Sequence, residues 1–290
     1  MKLNTQRLRY DAILLLVAVI WGSAFAVQRV AAQHLGSFLF NGLRFLLAGM
    51  LLLPFARLPQ RLNRHNLSWV ITAGAILFIS SVLQQLGLAT TTAGNAGFIT
   101  SLYVVLVPVL LLLLWRRHSH GLSWAAAGVA AVGAWLLSTG GKSLHLAAGD
   151  AYELLGALGW AFHVIVISKG AQKTEALAFS VGQCCVAAAL NLAMGFTLER
   201  QTLPALAAAW WCVVYVGVFS TAIGYTLQIV GQRHSPPTDA SLILSLESVF
   251  AALFGFLLLS ERLGLVQILG CALILGAVVL AQFKGAPGYN

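Results

Sequence analysis

Apolar positions run along the chain in unbroken stretches of about twenty residues, separated by short connections that hold the turn formers and most of the charge. Ten such stretches are predicted: Asp11 to Ala31, Phe38 to Phe55, Ser68 to Leu88, Ala93 to Trp115, Gly121 to Thr139, Tyr152 to Ser168, Leu177 to Phe196, Trp211 to Val230, Asp239 to Leu259 and Leu263 to Phe283. At about 1.5 Å per residue, each is long enough to cross a hydrocarbon layer of roughly 30 Å as a helix. None shows the alternation of a membrane barrel strand, and lipid offers open backbone no hydrogen-bond partner, so the runs are helices. Pro59, Gly140-Gly141, Pro204 and Pro236-Pro237 punctuate the connections.

Composition agrees with this pattern and removes one alternative. Of the 290 residues 59% are hydrophobic and 9% charged, against roughly 25% charged in a soluble domain. Such a chain cannot cover a water-facing surface, and the spans leave no room for a separate soluble domain. The net charge of +9 would suit nucleic acid only if it were clustered on one face. Instead it alternates by connection. Lys2, Arg7, Arg9, Arg57, Arg61, Arg64, Arg116, Arg117, Lys169, Lys173, Arg233 and Lys284 fall on one side, and Arg29, Lys142, Arg200 and Arg262 on the other. The positive-inside rule then puts both termini in the cytoplasm. Ala24-Phe25-Ala26 fits a signal-peptide cleavage pattern, but the first run is too long for one and a related segment returns later. Cys184, Cys185, Cys212 and Cys271 all lie within spans, which reads as buried thiols, without a disulfide framework or metal site.

Sliding the chain along itself exposes a duplication. An offset of 139 places Trp21 on Trp160 and Arg44 on Gln183. An offset of 144 places Leu83-Gln84 on Leu227-Gln228, Gly87 on Gly231, Ala96 on Ala240, Ser101-Leu102 on Ser245-Leu246 and Tyr103 on Glu247. The expected architecture is therefore all-α and integral to the membrane, ten transmembrane helices as two five-helix repeats, 1–145 and 146–290. Five is odd, so the second repeat must enter the membrane inverted. Inverted repeats supply two conformations of similar energy, each open to one side, around a site near the midplane.

Ile20-Trp21-Gly22-Ser23-Ala24-Phe25, Leu43-Arg44-Phe45-Leu46-Leu47-Ala48, Asn95-Ala96-Gly97-Phe98-Ile99 leading to Pro108, and Leu246-Glu247-Ser248-Val249-Phe250 followed by Ser260-Glu261-Arg262-Leu263 together resemble the EamA branch of the drug/metabolite transporter superfamily. The resemblance covers essentially the whole chain. It implies ten helices, cytoplasmic termini, a bacterial inner membrane and export of amino acids or related metabolites. Two positions depart from the family pattern: Ser248, where proline usually follows the glutamate, and Arg116-Arg117, where the first repeat often carries an acidic residue.

Charged groups inside spans cost roughly 2.5 to 3.5 kcal/mol, which marks them for function. Arg44 and Glu247 are the two this reading finds, at about 9 Å and about 12 Å from the nearer helix ends, with depths that do not favour a direct pair. Helix packing or snorkelling is the competing role for Arg44. Trp21, Trp160, His163 and Tyr103 all fall about 12 to 16 Å deep, and aromatic faces beside a carboxylate suit a solute with an ammonium group or an aromatic ring. Tyr225 and Gln228, on one stripe with Thr221 and Gly224, and Gln84, with Ser81 and Gln85, form further polar cavity walls or interhelical contacts. His163 and Glu247 are candidates for proton coupling. Arg44, Pro108 and Ser245 are assigned structural or gating parts. On the sixth span Gly156 is expected to allow a close approach, and the tenth offers Ala272 and Gly276 as a surface for a weak homodimer, monomer being the simpler state.

The expectation is a secondary transporter that exports small metabolites such as amino acids or aromatic or cationic solutes by alternating access, with lipid and solute as its partners and no cofactor or nucleic acid. An intramembrane enzyme is the alternative; His118 and His120 are its only metal-like residues and lack a ligand set. A channel or receptor would need pore charges or a sensory domain that the sequence does not display.

Overall fold

In the computed structural model, which describes residues 5–57, 64–141, 148–200 and 202–282, the apolar runs fold as helices. They are α1 Thr5–Ala32, α2 Ser37–Leu52, α3 Arg64–Leu88, α4 Ala93–Ser101, α5 Tyr103–Trp115, α6 Gly121–Thr139, α7 Ala148–Gly170, α8 Ala176–Leu198, α9 Leu203–Tyr215, α10 Tyr225–Gln232, α11 Pro237–Leu244, α12 Glu247–Leu259 and α13 Leu265–Gln282. A π-helical segment, Val216–Gly224, joins α9 to α10. Counted as continuous rods among the described residues, nine are long and apolar enough to span a membrane, and Leu265–Ala281 is a shorter tenth. Leu203, Leu265, Phe196 and Phe55 stand out from the surface, an arrangement that water would penalise and lipid would cover. Lys2, Pro59, Arg61, Lys142, Lys284 and the predicted end at Phe283 lie outside the described residues.

Three helix pairs display the inversion directly. Glu199, just past the carboxyl end of α8, accepts hydrogen bonds from Phe38 N and Leu39 N at the amino end of α2, at 2.9 and 2.8 Å. Glu261, after α12, accepts from Ala93 N and Gly94 N at the start of α4, at 3.1 and 3.3 Å. Gln267 near the start of α13 donates to Leu137 O near the end of α6 at 3.0 Å. Each pair joins equivalent spans of the two repeats and runs antiparallel. The other main contacts exchange in the same way: α3 packs on α7 as α10 and the π segment pack on α1.

The fourth and ninth spans, expected to be continuous, each break near the middle. Leu102 separates α4 from α5, and Ser245-Leu246 separates α11 from α12. Local hydroxyls compete for the ladder carbonyls: Ser101 donates to Phe98 O, Ser245 to Leu242 O and Ser248 to Ser245 O, each at 2.7 Å. The ninth span therefore breaks without the proline that Ser248 replaces. Ser245 sits at this break, whereas Pro108 lies inside α5, past the equivalent one. Tyr103 and Glu247 are the first residues of the second half-helices.

Three sequence expectations need correction. The sixth span begins at Ala148 rather than Tyr152, because Asp150 is seated at its amino end by Thr91 and Asn95. Glu153, already inside the predicted sixth span but passed over in the count of intramembrane charges, is fully buried. A Cβ on Gly156 would make only ordinary van der Waals contact with α3, so no close approach requires the glycine. The closest approach to neighbouring backbone is instead Gly133 against Gly270, where a Cβ on either would stand 2.7 or 2.4 Å from the other's carbonyl oxygen. Ala272 and Gly276 face outward from that pair.

Candidate functional site

The broken and π-helical segments surround one central cavity. Its lining is Trp21, Phe25 and Gln28 of α1, Arg44 of α2, Gln84 of α3, Thr100 of α4, Tyr103 of α5, Trp160, His163 and Val164 of α7, Ser220 of the π segment, Tyr225 and Gln228 of α10, and Glu247 of α12. The space between these atoms is about 440 Å³, its mouth included. All eight residues expected to touch a solute face it, from both repeats. Arg44, expected to snorkel or pack, faces it too and is buried rather than extended to an interface.

Tyr225 is the hub of an aromatic cluster. Its ring centroid lies 5.2 Å from Trp21, 6.3 Å from Trp160 and 5.7 Å from His163. The two repeat-related tryptophans thus flank one tyrosine. Trp21 is fixed by donating Nε1–H to Ser220 O at 3.0 Å. A π turn shifts the i→i−4 ladder locally and turns carbonyls toward other donors, a feature often found at functional sites. Gly224 leaves room for the indole: a Cβ there would stand 2.6 Å from Trp21 Nε1.

The polar wall holds both signs of charge without pairing them. Arg44 donates Nε–H to Asn41 Oδ1 at 2.8 Å, and its guanidinium carbon lies 4.7 Å from the Phe45 ring centroid and 5.6 Å from that of Phe40. Among the described residues the ion pairs join Arg7 to Asp11 and to Asp239, so Arg44 and Glu247 do not pair with each other. His163 Nε2 lies 3.1 Å from Gln183 Oε1, the repeat mate of Arg44. Gln84 donates to Thr100 Oγ1 at 3.3 Å, and Gln85 donates to Gln28 O at 2.9 Å.

Much of this polar lining lacks a protein partner. Gln28 Oε1, Arg44 Nη2, Trp160 Nε1, His163 Nδ1 and Gln228 Oε1 are buried and make no hydrogen bond, while the Tyr103 hydroxyl and the Glu247 carboxyl interact with each other. Buried polar atoms are nearly always satisfied, by protein, water or a ligand. Five converging on one cavity describe a chamber made to hold something polar.

Sequence reading missed Phe25 and Gln28, although they follow Trp21 at four and seven residues on one helical stripe. Thr100, three residues before Tyr103, carried the same signal. The Ser220 carbonyl had none, since its exposure follows from the π turn. His120, weighed as a metal ligand, accepts from Leu122 N at 3.2 Å and starts α6.

Inverted helical repeats around a buried polar chamber define a polytopic membrane protein of the transporter class. The chain belongs to the EamA-like transporter family, whose model matches it twice, over residues 8–139 and 147–283. An uncharacterized transporter of Archaeoglobus fulgidus is 32% identical over 282 residues, covering 97% of this chain and 88% of its own. The uncharacterized inner membrane transporter YedA of Escherichia coli is 26% identical over 270 residues, covering 90% and 87%. A crystal structure with 18% sequence identity superposes with a TM-score of 0.78 over 95% of this chain and 98% of the other, which shows the shared fold.

Proposed function

We propose that the protein is a secondary transporter for small organic solutes that carry an ammonium group or an aromatic ring, amino acids among them, and that it works as an exporter by alternating access. The observation that carries this reading is the chamber between the repeats, lined by unpartnered buried polar atoms from both. Arg44 and Glu247 offer opposite charges to the two ends of a zwitterion, and the Trp21–Tyr225–Trp160 cluster offers π faces between them. Units 1–145 and 146–290 rock against each other about the breaks at Leu102 and Ser245-Leu246, with Arg44, Pro108 and Ser245 in structural or gating parts. His163 and Glu247 are the proton-coupling groups within the chamber.

The charge bias of the connections supports cytoplasmic termini, and the likeness to an inner membrane transporter of Escherichia coli supports a bacterial inner membrane. The working unit is a monomer in lipid. Counterflow in proteoliposomes tests the carrier: exchange of labelled solute should accelerate when unlabelled solute is placed on the far side. A channel gives no such trans-stimulation, and an enzyme returns a changed compound. Trp21→Ala or Trp160→Ala should raise the solute KM, and normal values in both would remove the aromatic cluster from binding. Glu247→Gln should abolish the pH response of transport.

A further inference from the structure

The twofold relation makes each buried position in one repeat a control for its mate in the other. One matched set places leucine in one repeat against an acid in the other. The offset of 139 pairs Leu14 with Glu153, and the offset of 144 pairs Gly231 with Gly87 and Leu244 with Thr100. The two slots are built alike. A Cβ on Gly231 would stand 2.7 Å from Leu14 Cγ and Cδ2, and a Cβ on Gly87 would stand 2.6 Å from Glu153 Cγ and Oε1. Leu14 and Leu244 fill the first slot as part of the main apolar core. In the second, Glu153 is equally buried and Thr100 replaces the other leucine.

Packing therefore does not demand a carboxyl here, since leucine fills the twin. Glu153 Oε2 accepts from Thr100 Oγ1 at 3.0 Å, and Thr100 in turn accepts from Gln84; Thr100 and Gln84 both line the chamber. Oε1 has no partner. The charged groups facing Glu153 are both acidic: Asp150, one turn nearer the amino end of α7, and Glu247 from α12. The other elements around it present Gly87 and Gln84 of α3 and Thr100 of α4, none of them charged. An ionised carboxylate in such a place lacks a compensating charge, which burial disfavours. A metal cation would need a shell of about six oxygens, and Oε1 is pressed against the Gly87 backbone. A proton needs no such room.

We propose that Glu153 is a proton-binding site on a route that joins the chamber to the amino end of α7, and that this route exists in one repeat only. Water at the Asp150 end delivers the proton, the O–H bond forms on Oε1, and it breaks by transfer to water in the chamber. Asp150, held by Thr91 and Asn95 at 2.8 and 2.6 Å, is the outer station, and Glu247 the inner one. Coupling of this proton to solute rests on the carrier reading; proton binding at Glu153 does not.

The experiment is infrared difference spectroscopy of the full-length protein in lipid between about pH 5 and about pH 9, a window around the carboxyl and imidazole range. Glu153→Leu copies the twin slot, and Glu153→Gln keeps the shape if the leucine variant fails to fold. The wild type and Glu247→Gln should show a carboxylic C=O signal that is lost in both Glu153 variants. An unchanged signal in both Glu153 variants overturns the proposal. In proteoliposomes with labelled phenylalanine as the probe, the ratio of rates with and without a proton gradient should fall to onefold in Glu153→Leu; a ratio equal to the wild type overturns the coupling. If the wild type does not move phenylalanine, the solute class is wrong, and the infrared result still decides the proton site.

Discussion

Gly224→Ala probes the link between the π segment and the chamber. The added methyl carbon would stand 2.6 Å from Trp21 Nε1 and 3.2 Å from its Cδ1, well inside van der Waals contact. Trp21 is only partly buried and borders the chamber, so it can yield into open space rather than force the backbone apart. Overpacking of this kind costs about 1 to 3 kcal/mol, and the Trp21–Ser220 hydrogen bond that the indole must give up is worth about 0.5 to 1.5 kcal/mol. Because the ring can move, the loss of stability should fall near the low end, about 1 to 2 kcal/mol. Solute affinity should fall too, since a displaced indole no longer faces Tyr225 at 5.2 Å. If the aromatic face contributes about 1 kcal/mol to binding, KM rises about fivefold. Thermal unfolding of purified protein, indole fluorescence and counterflow measure the three effects. Trp21→Phe supplies the control, because Gly224→Ala made in that background should add little further loss in affinity. Wild-type fluorescence and KM in Gly224→Ala, or strictly additive losses in the double variant, would refute the reasoning.

Gly270→Ala places a methyl carbon 2.4 Å from Gly133 O, where backbone rather than a flexible side chain must shift. It should cost about 2 to 3 kcal/mol in unfolding while the solute KM stays at the wild-type value, since α6 and α13 do not line the chamber. Glu261→Gln can no longer accept from both Ala93 N and Gly94 N and should lower unfolding stability by about 1 to 2 kcal/mol. Arg117→Gln, at the repeat-related position, should leave stability within about 0.5 kcal/mol. Arg44→Lys keeps the charge but loses the Nε donor to Asn41, so it should weaken carboxylate-bearing solutes in a competition assay more than amines without a carboxylate.

Span number, repeat structure and inverted arrangement were legible in the sequence, because the thickness of a hydrocarbon layer and the lack of backbone partners in it set the length and form of each segment directly. Trp21, Trp160, Tyr103 and Glu247 were placed near the midplane from the sequence, since a residue's height in the membrane follows from its distance along a helix, and all four border the cavity. Which side of each helix looks inward is set by neighbours far away in sequence. That is why Arg44, read as a packing or snorkelling residue, turned out to border the chamber. Glu153 was passed over although the predicted sixth span already contained it, one residue past its start; its burial depends on Thr100 and Gly87, on helices more than fifty residues earlier that pack against it.

By itself the sequence determined a doubled set of membrane-crossing helices and the depth at which polar groups ride on them. Only the tertiary structure decided which helix faces look onto the chamber, where the ladder slips into a π turn to offer the Ser220 carbonyl, and that the Leu14 and Glu153 slots are built alike. The breaks coincide with local hydroxyl bonds, but the seating of Trp21 on Ser220 and of Glu261 on Ala93 joins segments more than 100 residues apart, and no local pattern of hydrophobic and polar residues encodes such contacts.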